Sequence, residues 1–388
     1  MKFVVNQESF KEELGFVQGV VEKRSAIPVL SGVLIKSIGK DRIRLIATDY
    51  DTSLITTISA EVLEEGSICL PGKKLFDIIR LLDPGNVTFT KKGDELVQIE
   101  SGRSSFRLID YSEDSFPEVP AVPELTSTID CSSLALFIQM TSFAITQEQI
   151  RYTLSGAKFE SKAGKVRMVT TDGHRLALIE KDISASNDVN FDILIPKKAL
   201  SELSKLAKEE GICRFGEDQN LLYFQIGERS LIVRKLAGQF PNYEMVIPKT
   251  DLTAAEFDAN EMKSAIRRVS LMADERNKTV KLTLDKNSIE IESETQGEGA
   301  GYETISADYD GQRISIGFNA QYLQDFLNVV SAPSSASVEK ETEGDKAKAR
   351  VNSTRIKFEF KDSHAQALMK PLGERDYNYM YIIMPIRL

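Results

Sequence analysis

The stretch VTTDGHRLALI, residues 169–179, places a hydroxyl, a carboxylate and an imidazole within a few positions of one another. His174 is one of only two histidines in the chain of 388 residues, and Asp172 stands two positions before it. Thr170 and Thr171 come just ahead of the aspartate. A hydroxyl nucleophile, a general base and an orienting carboxylate are the parts of a hydrolytic triad, so the stretch raises the hypothesis of a catalytic centre.

The rest of the sequence gives this hypothesis no support. The motifs GxSxG and HExxH, a Walker loop and paired metal carboxylates are absent. Asp172-Gly173 is also typical of a turn between two strands, where these residue types are favoured for backbone reasons. We therefore expect a structural turn at this position and no enzyme.

The elements around the turn recur elsewhere in the chain. The segment RIRLIATDYDTSLI (42–55) lies 123 positions before KVRMVTTDGHRLAL (165–178), and its Thr48-Asp49 corresponds to Thr171-Asp172 without a histidine. A carboxylate that is repeated without its imidazole favours structure over catalysis. Further pairs at nearly the same offset are LSGVLI with LSGAKF, LPGKKLFDIIRLL with IPKKALSELSKLA, IESGRSSFRLI with FQIGERSLIVRKL, and SFPEVP with QFPNYE.

The last third is a more divergent copy, in which KLTLDKNSIEIESET (281–295) falls where the hairpins of the first two copies fall, so the repeats predict three similar domains. Each copy reads as a strand, a polar helix cap, an amphipathic helix, alternating strands, a second helix and closing strands, which is an α+β domain. The candidate caps are Asn6, Asp130 and Asp258. Proline-containing joints at 119–125 and 246–252 divide the chain into predicted domains 1–122, 127–249 and 252–388.

Composition limits the class of protein. Hydrophobic residues make up 41% and charged residues 28%, and no apolar run is long enough for a membrane span. The first residues, MKFVVNQESFKEEL, turn polar too soon for a signal peptide, so no membrane is expected. Cys69, Cys131 and Cys213 have no metal spacing and indicate single buried or half-buried thiols in a reducing, cytoplasmic compartment. We expect no metal and no cofactor.

Charge gives a mixed signal about nucleic acid. The formal net charge of −9 argues mildly against a DNA-binding protein, because phosphate contacts usually require a basic surface. The predicted helices nevertheless carry many cations, which either form solvated faces or line one basic surface that binds DNA without reading its sequence. These cations are Lys23, Arg24, Lys73, Lys74, Arg80, Lys197, Lys198, Lys205, Lys208, Lys263, Arg267 and Arg268.

Eight short motifs carry a resemblance to a known family. They are the initial MKF, RSAIPVLSG (24–32), SGRSSF (101–106), IRYTLSG (150–156), TTDGHRLAL (170–178), FPNY (240–243), IGFN (316–319) and MPIRL (384–388). In this combination, and along essentially its whole length, the sequence resembles the bacterial DNA polymerase III beta subunit, the sliding clamp. The resemblance implies a ring of two chains that encircles duplex DNA as a processivity factor, with helices inside and sheets outside.

The resemblance also implies a groove that binds short peptides of the replicative polymerase alpha subunit, the clamp-loader delta subunit, other polymerases and repair proteins. Its apolar side chains suit leucine or phenylalanine anchors, and Arg175 and Asn319 would hold peptide backbone or a glutamine side chain. The alternative interpretation of the terminal YIIMPIRL is simply a last strand. The implied groove residues are Leu154, Thr171, Gly173, His174, Arg175, Leu176, Pro241, Val246, Asn319, Tyr322, Ile382, Ile383, Met384, Pro385, Ile386, Arg387 and Leu388.

Two further sets of residues are implied. Arg24 and Tyr152 match positions that contact DNA in the family, and Lys198, Arg267 and Arg268 are added from their charge. At the joint between chains, a strand of the first domain would meet the third domain of the other copy. The implied joint residues are Lys74, Phe106, Leu108, Leu271 and Met272.

Some features depart from the family or need a separate interpretation. Met245 stands where the family often has a cation, and residues 362–380, which include His364, are expected to form a long surface loop. The acidic stretch at 339–349 is expected to be a hairpin turn. A clamp paralogue with altered partner or inhibitor specificity is the alternative to a replicative clamp, because both would share the fold.

Overall fold

A computed structural model describes residues 1–21, 27–93, 95–148, 151–162, 164–182, 190–208, 210–248, 252–332 and 354–388. Strands predominate, and helices occur at the places that the repeats predict. The helices are α1 Gln7–Val17, α2 Gly72–Ile79, α3 Cys131–Thr141, α4 Lys197–Leu206, α5 Ala259–Val269 and α6 Ala320–Val330.

The strands of the first two repeats occupy corresponding places in the chain. In the first repeat they are β1 Lys2–Asn6, β2 Gly32–Ile38, β3 Arg42–Thr48, β4 Thr52–Ser59, β5 Glu61–Glu64, β6 Ser67–Pro71, β7 Asn86–Lys92, β8 Leu96–Ser101 and β9 Ser104–Ile109. In the second they are β10 Ser127–Asp130, β11 Gly156–Lys162, β12 Lys165–Thr171, β13 Arg175–Asp182, β14 Asp192–Pro196, β15 Ile212–Glu217, β16 Leu221–Ile226 and β17 Arg229–Arg234.

The third repeat keeps this order with longer strands. Its strand–helix start and its second helix are present, and 281–295 forms the expected hairpin. The strands are β18 Thr253–Asp258, β19 Thr279–Asp285, β20 Ser288–Thr295, β21 Gly299–Asp308, β22 Ile314–Asn319, β23 Arg355–Phe360, β24 Ala367–Pro371 and β25 Asn378–Ile383.

The chain forms two compact units. The first contains Met1–Leu136 and Ile195–Leu236, and the second contains Phe137–Leu194 and Ala237–Leu388. The first unit holds a five-stranded sheet, in the order β5-β1-β7-β8-β9, and an eight-stranded sheet, in the order β10-β15-β16-β17-β4-β3-β2-β6. The second holds a sheet in the order β14-β11-β12-β13-β25-β24-β23-β18-β21-β20-β19-β22. The pairings described are antiparallel, as short turns between alternating strands require.

The helices begin where the sequence places a cap. The Asn6 side chain accepts from the backbone amides of Glu8 and Ser9, and Asp258 accepts from that of Glu261. These contacts satisfy amides that have no partner within the helix. Phe10, Leu14 and Val17 then form the buried face of α1 at helical spacing.

Loss of the Asn6 cap should be measurable. Asn6→Ala is expected to lower the free energy of unfolding by about 1 kcal/mol, because two amides of the first turn lose their acceptor. Denaturant unfolding measures the change, with Lys11→Ala on the exposed face of α1 as the control. Equal stability of the two variants would contradict the cap.

One expectation about the last third is wrong. Residues 362–380 are not one long loop, because β24 and the start of β25 lie within them. Ala367, Leu368 and Met369 are buried in β24, which pairs with strands on both sides. Only the turns around them are irregular, and His364 lies in the first, where its amide donates to Asp362. The acidic stretch at 339–349 lies outside the described residues.

All three cysteines are buried, as the sequence predicts. Burial raises the pKa of the Cys69 thiol to about 12 and also raises that of Cys213. Thiols with raised pKa values form little thiolate and react slowly.

Candidate functional site

The opening stretch forms a tight turn between β12 and β13 in the second unit. Asp172 Oδ1 accepts from the amide of His174 at 2.9 Å and from that of Arg175 at 3.1 Å. The Gly173 amide donates to Thr171 Oγ1, and Gly173 has a φ of +92°, which a glycine adopts without strain. The carboxylate of Asp172 and the hydroxyl of Thr171 therefore stabilise the turn by accepting hydrogen bonds from its backbone amides.

The first unit contains the same turn between β3 and β4. Asp49 Oδ1 accepts from the amides of Asp51 and Thr52, and the Tyr50 amide donates to Thr48 Oγ1. Tyr50 has a φ of +73° at the position of Gly173. Since the two copies share the geometry and only one has the histidine, the prediction of a structural turn is confirmed.

Arg175, the first residue after the turn, is the centre of a buried network. Its Nε donates to Asp172 Oδ2 at 3.0 Å, Nη1 donates to Asp325 Oδ2 at 2.7 Å, and Nη2 donates to the carbonyl of Phe143 at 2.8 Å. The guanidinium carbon lies 4.2 Å from the centre of the Tyr322 ring. Only 8% of the Arg175 side chain is exposed. Because Asp325 lies on α6, the network ties the turn to that helix.

The environment of Arg175 stabilises its charge. Burial alone would lower the pKa of the guanidinium, but Tyr381, Asp325 and Asp172 raise it instead. A peptide-holding role was predicted for Arg175, but the structure uses its planar fork to hold the protein's own groups. Asn319 differs from its prediction in the same way, because its side-chain oxygen caps α6.

The C-terminal tail lies beside the turn through backbone hydrogen bonds. The amide of Met384 donates to the carbonyl of His174 at 2.9 Å, and that of Ile386 donates to the carbonyl of Gly317 at 2.8 Å. A Cβ at Gly317 would lie 2.8 Å from the Ile386 carbonyl oxygen, so the close approach requires glycine. The rings of His174 and Tyr322 stack 6.4 Å apart.

An apolar cluster underlies this surface. Leu176 of β13 pairs with Ile382 of β25, and both pack with Val169, Tyr243 and other buried side chains. Leu176 and Ile382 are 3% and 2% exposed, so they support the surface from below and do not form its wall. Thr171 and Ile383 are buried as well.

Other predicted groove residues do reach the surface. Leu154 and Pro241 line a depression of about 520 Å³ together with Tyr152. Val246 and Met384 are exposed apolar side chains. Further exposed or half-exposed members of the predicted set are Gly173, His174, Tyr322, Pro385, Ile386, Arg387 and Leu388.

The residues predicted to contact DNA differ in their exposure and in their ion-pair partners. Arg24 lies outside the described residues, and Tyr152 is exposed. Lys198 pairs with Asp49 in the first unit, and Arg268 donates to Glu303 in the second. Because their charges are partly neutralised, these two cations offer less to a phosphate than the sequence alone indicates.

The predicted joint residues lie at places that suit an interface. Phe106 and Leu108 share one face of β9, which is the last strand of its sheet in the described part of the chain. Phe106 is 38% exposed although it faces the core side, and Leu108 is buried. Leu271 is 82% exposed in the second unit, and Met272 is half-buried. Lys74 is exposed on α2.

Sequence reasoning missed the residues that support the site. Asp325 and Phe143 bind Arg175, while the hydroxyl of buried Tyr381 donates to the carbonyl of Tyr322. The only sequence signal was the apolar alternation of the last strand, which predicts an inward ring at Tyr381.

Within the described residues, no helix has the length and apolarity for crossing a bilayer.

Comparison with known proteins gives one result along the whole chain. The N-terminal domain of the DNA polymerase III beta subunit family matches residues 1–120, its central domain matches 128–242 and its C-terminal domain matches 244–338. The beta sliding clamp of Pseudomonas putida is 30% identical over the full length of both chains.

Solved structures agree with this match. The sliding clamp of Pseudomonas aeruginosa bound to griselimycin is 29% identical, with a TM-score of 0.88 over both whole chains. That of Caulobacter crescentus, with polyethylene glycol in a proposed beta-motif tethering region, is 29% identical, with a TM-score of 0.87 over all of this chain and 99% of the other.

Three consecutive clamp domains of α+β type define a sliding clamp, the class of protein that gives a DNA polymerase its processivity. The chain belongs to the DNA polymerase III beta subunit family. The comparisons do not favour a paralogue with altered specificity.

Proposed function

We propose that two copies of this chain close head to tail into a ring around duplex DNA, with domains at 1–122, 127–249 and 252–388. The match over both whole chains to a solved clamp, with a TM-score of 0.88, is the observation that carries the proposal. The ring would tether its partners by topology, act in the cytoplasm and have no catalytic activity or cofactor of its own.

The joint would form between the edge strand β9 and the region of Leu271. An edge strand presents unpaired backbone groups, and apolar side chains exposed beside it are typical of an interface. Phe106 and Leu271 supply such side chains, each in a different domain. A head-to-tail ring of two copies would use the joint twice.

The groove would receive short peptides of the polymerase alpha subunit, the clamp-loader delta subunit and other replication and repair proteins. Leu154, Pro241, Val246 and Met384 offer apolar surface for leucine or phenylalanine anchors. The Arg175 network would hold this surface in shape from beneath. The polyethylene glycol in the Caulobacter clamp supports an elongated ligand at this kind of site.

Retention on circular DNA tests the ring. After loader-driven loading, the protein is expected to stay on a nicked circle when salt is raised from about 50 to 200 mM, a change that costs an ordinary DNA-binding protein with several phosphate contacts roughly a thousandfold or more in affinity. Cutting the circle once should release it, because the ring can then slide off the ends. Gel filtration of the loaded DNA measures both.

The uncut circle in the same buffer is the control for the cut. Equally fast loss from circular and linear DNA would contradict the ring. Release from the circle by salt alone, with the slope of an ordinary binder, would point to side-on binding.

A further inference from the structure

A large cavity lies in the first unit, apart from the proposed groove. It measures about 840 Å³ and lies between one face of β2, β3 and β4 and the proline-rich segment 113–122. Ile46 and Ile55, which pair across β3 and β4, are half-buried in its floor. Phe116 packs at one side against the cluster of Leu34. The volume is in the range of ligand pockets.

Arg44 gives this cavity an unusual charge arrangement. It lies on β3 directly opposite Lys36 of β2 and Thr57 of β4. Lys36 pairs with Glu113, whereas Arg44 makes no ion pair with any residue that the structure describes. Arg44 is therefore the cation of this cavity that a ligand carboxylate could pair with.

In the second unit, the arginine equivalent to Arg44 is surrounded by carboxylates and an aromatic ring. Arg167 of β12 corresponds to Arg44 in the repeat, and it lies opposite Glu160 of β11 and Glu180 of β13. Its Nε donates to Glu180 Oε2 at 2.7 Å. The ring of Tyr243 is buried beside it and its hydroxyl donates to Glu160.

In the first unit each of these groups is replaced. Lys36 stands for Glu160, Thr57 for Glu180, and Val119 for Tyr243. The corresponding cavity in the second unit, around Arg167 and Tyr243, is only about 300 Å³. The first unit therefore lacks both carboxylates opposite its arginine and also the aromatic ring, and its cavity is the larger of the two.

We propose that this cavity binds an extended peptide segment of a partner protein in which an aromatic residue stands two positions from a glutamate or aspartate. The carboxylate bonds Arg44 as Glu180 bonds Arg167, and the ring packs on Ile46, Ile55 and Val119. The pleated face of β2 to β4 suits an extended chain, which places alternate side chains into it. The proposal does not depend on the ring or on the peptide groove.

The remaining charges limit the flanking sequence. Asp114, Glu118 and Glu228 also line the cavity and would repel further acidic residues. The segment therefore carries one carboxylate, with neutral or basic neighbours. This pattern distinguishes it from a merely acidic peptide.

The test uses the full-length protein labelled at isoleucine methyl groups, with two probes. These are acetyl-Gly-Tyr-Ser-Glu-Leu-Gly-amide and the same peptide with glutamine in place of glutamate. The glutamate peptide is expected to shift the methyl signals of Ile46 and Ile55 saturably. The glutamine peptide should bind about fivefold more weakly, as expected for one ion pair that is partly exposed.

Two variants make the test specific. Arg44→Gln should remove the difference between the two peptides, and Thr57→Glu, which places a carboxylate where Glu180 lies, should weaken the glutamate peptide by fivefold or more. Unchanged shifts of Ile99, a core residue of the first unit, and an unchanged unfolding midpoint show that the fold is kept. Equal affinities of the two peptides for the wild-type chain, no saturable shifts, or full binding to Thr57→Glu would each overturn the proposal.

Discussion

Arg175→Ala is expected to lower the free energy of unfolding by about 3 kcal/mol or more and to abolish binding of partner peptides. The substitution removes a buried guanidinium and leaves the carboxylates of Asp172 and Asp325 without their partner. It also removes the donor to the Phe143 carbonyl and the group stacked on Tyr322. We therefore expect Arg175 to act as a positioning residue for the proposed groove.

The measurements are denaturant unfolding and fluorescence titration with a synthetic peptide that carries glutamine, leucine and phenylalanine. Arg151→Ala is the matched control for stability, because Arg151 is exposed and donates to the neighbouring carbonyl of Asp172. We expect it to cost less than about 1 kcal/mol. Arg175→Lys keeps the charge without the planar fork and should restore little of the binding.

If Arg175→Ala binds the peptide as the wild type does under conditions where it is folded, the network is not what shapes the groove. If its stability equals that of Arg151→Ala, the guanidinium is not the centre of the network. The two readouts therefore separate the structural role from the role in binding.

Phe106→Asp or Leu271→Asp is expected to convert the proposed dimer, twice 43.3 kDa, into monomers of 43.3 kDa. Burying a phenylalanine or leucine at an interface contributes about 1.5–3 kcal/mol, and an unpaired carboxylate in its place costs more. A two-copy ring contains the joint twice, so each substitution acts at two places. Monomers should also lose retention on circular DNA.

Analytical ultracentrifugation across a range of concentrations measures the change in mass. Ile212→Asp is the control, since Ile212 is an equally apolar side chain, 58% exposed, on β15. It should leave the dimer intact. A dimer that survives both Phe106→Asp and Leu271→Asp would contradict the assignment of the joint.

Local signals in the sequence predicted much of the fold. The cap at Asn6, the hairpin at 281–295 and the turn at Asp172 depend on residues only a few positions apart. For these elements, backbone preferences and short-range hydrogen bonds decide the structure, and both can be read from neighbouring residues. The repeat then extended each conclusion from one copy to the next.

The supports of the groove could not be predicted in this way. Arg175 meets Asp325, 150 positions further along the chain, and no periodicity links the two. From the sequence alone, an arginine that follows a turn is expected to be exposed to solvent. The helix α6, which carries its partner Asp325, is what buries it in the folded chain. The short strand β24 was missed because five residues between polar turns carry too little pattern to tell a buried strand from a loop.

The burial of the three native thiols has a practical consequence for following this protein on DNA. A cysteine substituted for the exposed Lys40, in the turn between β2 and β3, would react with a maleimide dye far faster than Cys69, Cys131 or Cys213. A single fluorophore could then be attached with every native cysteine in place. Movement along stretched DNA could be recorded in a chain that differs from the natural one at one surface position.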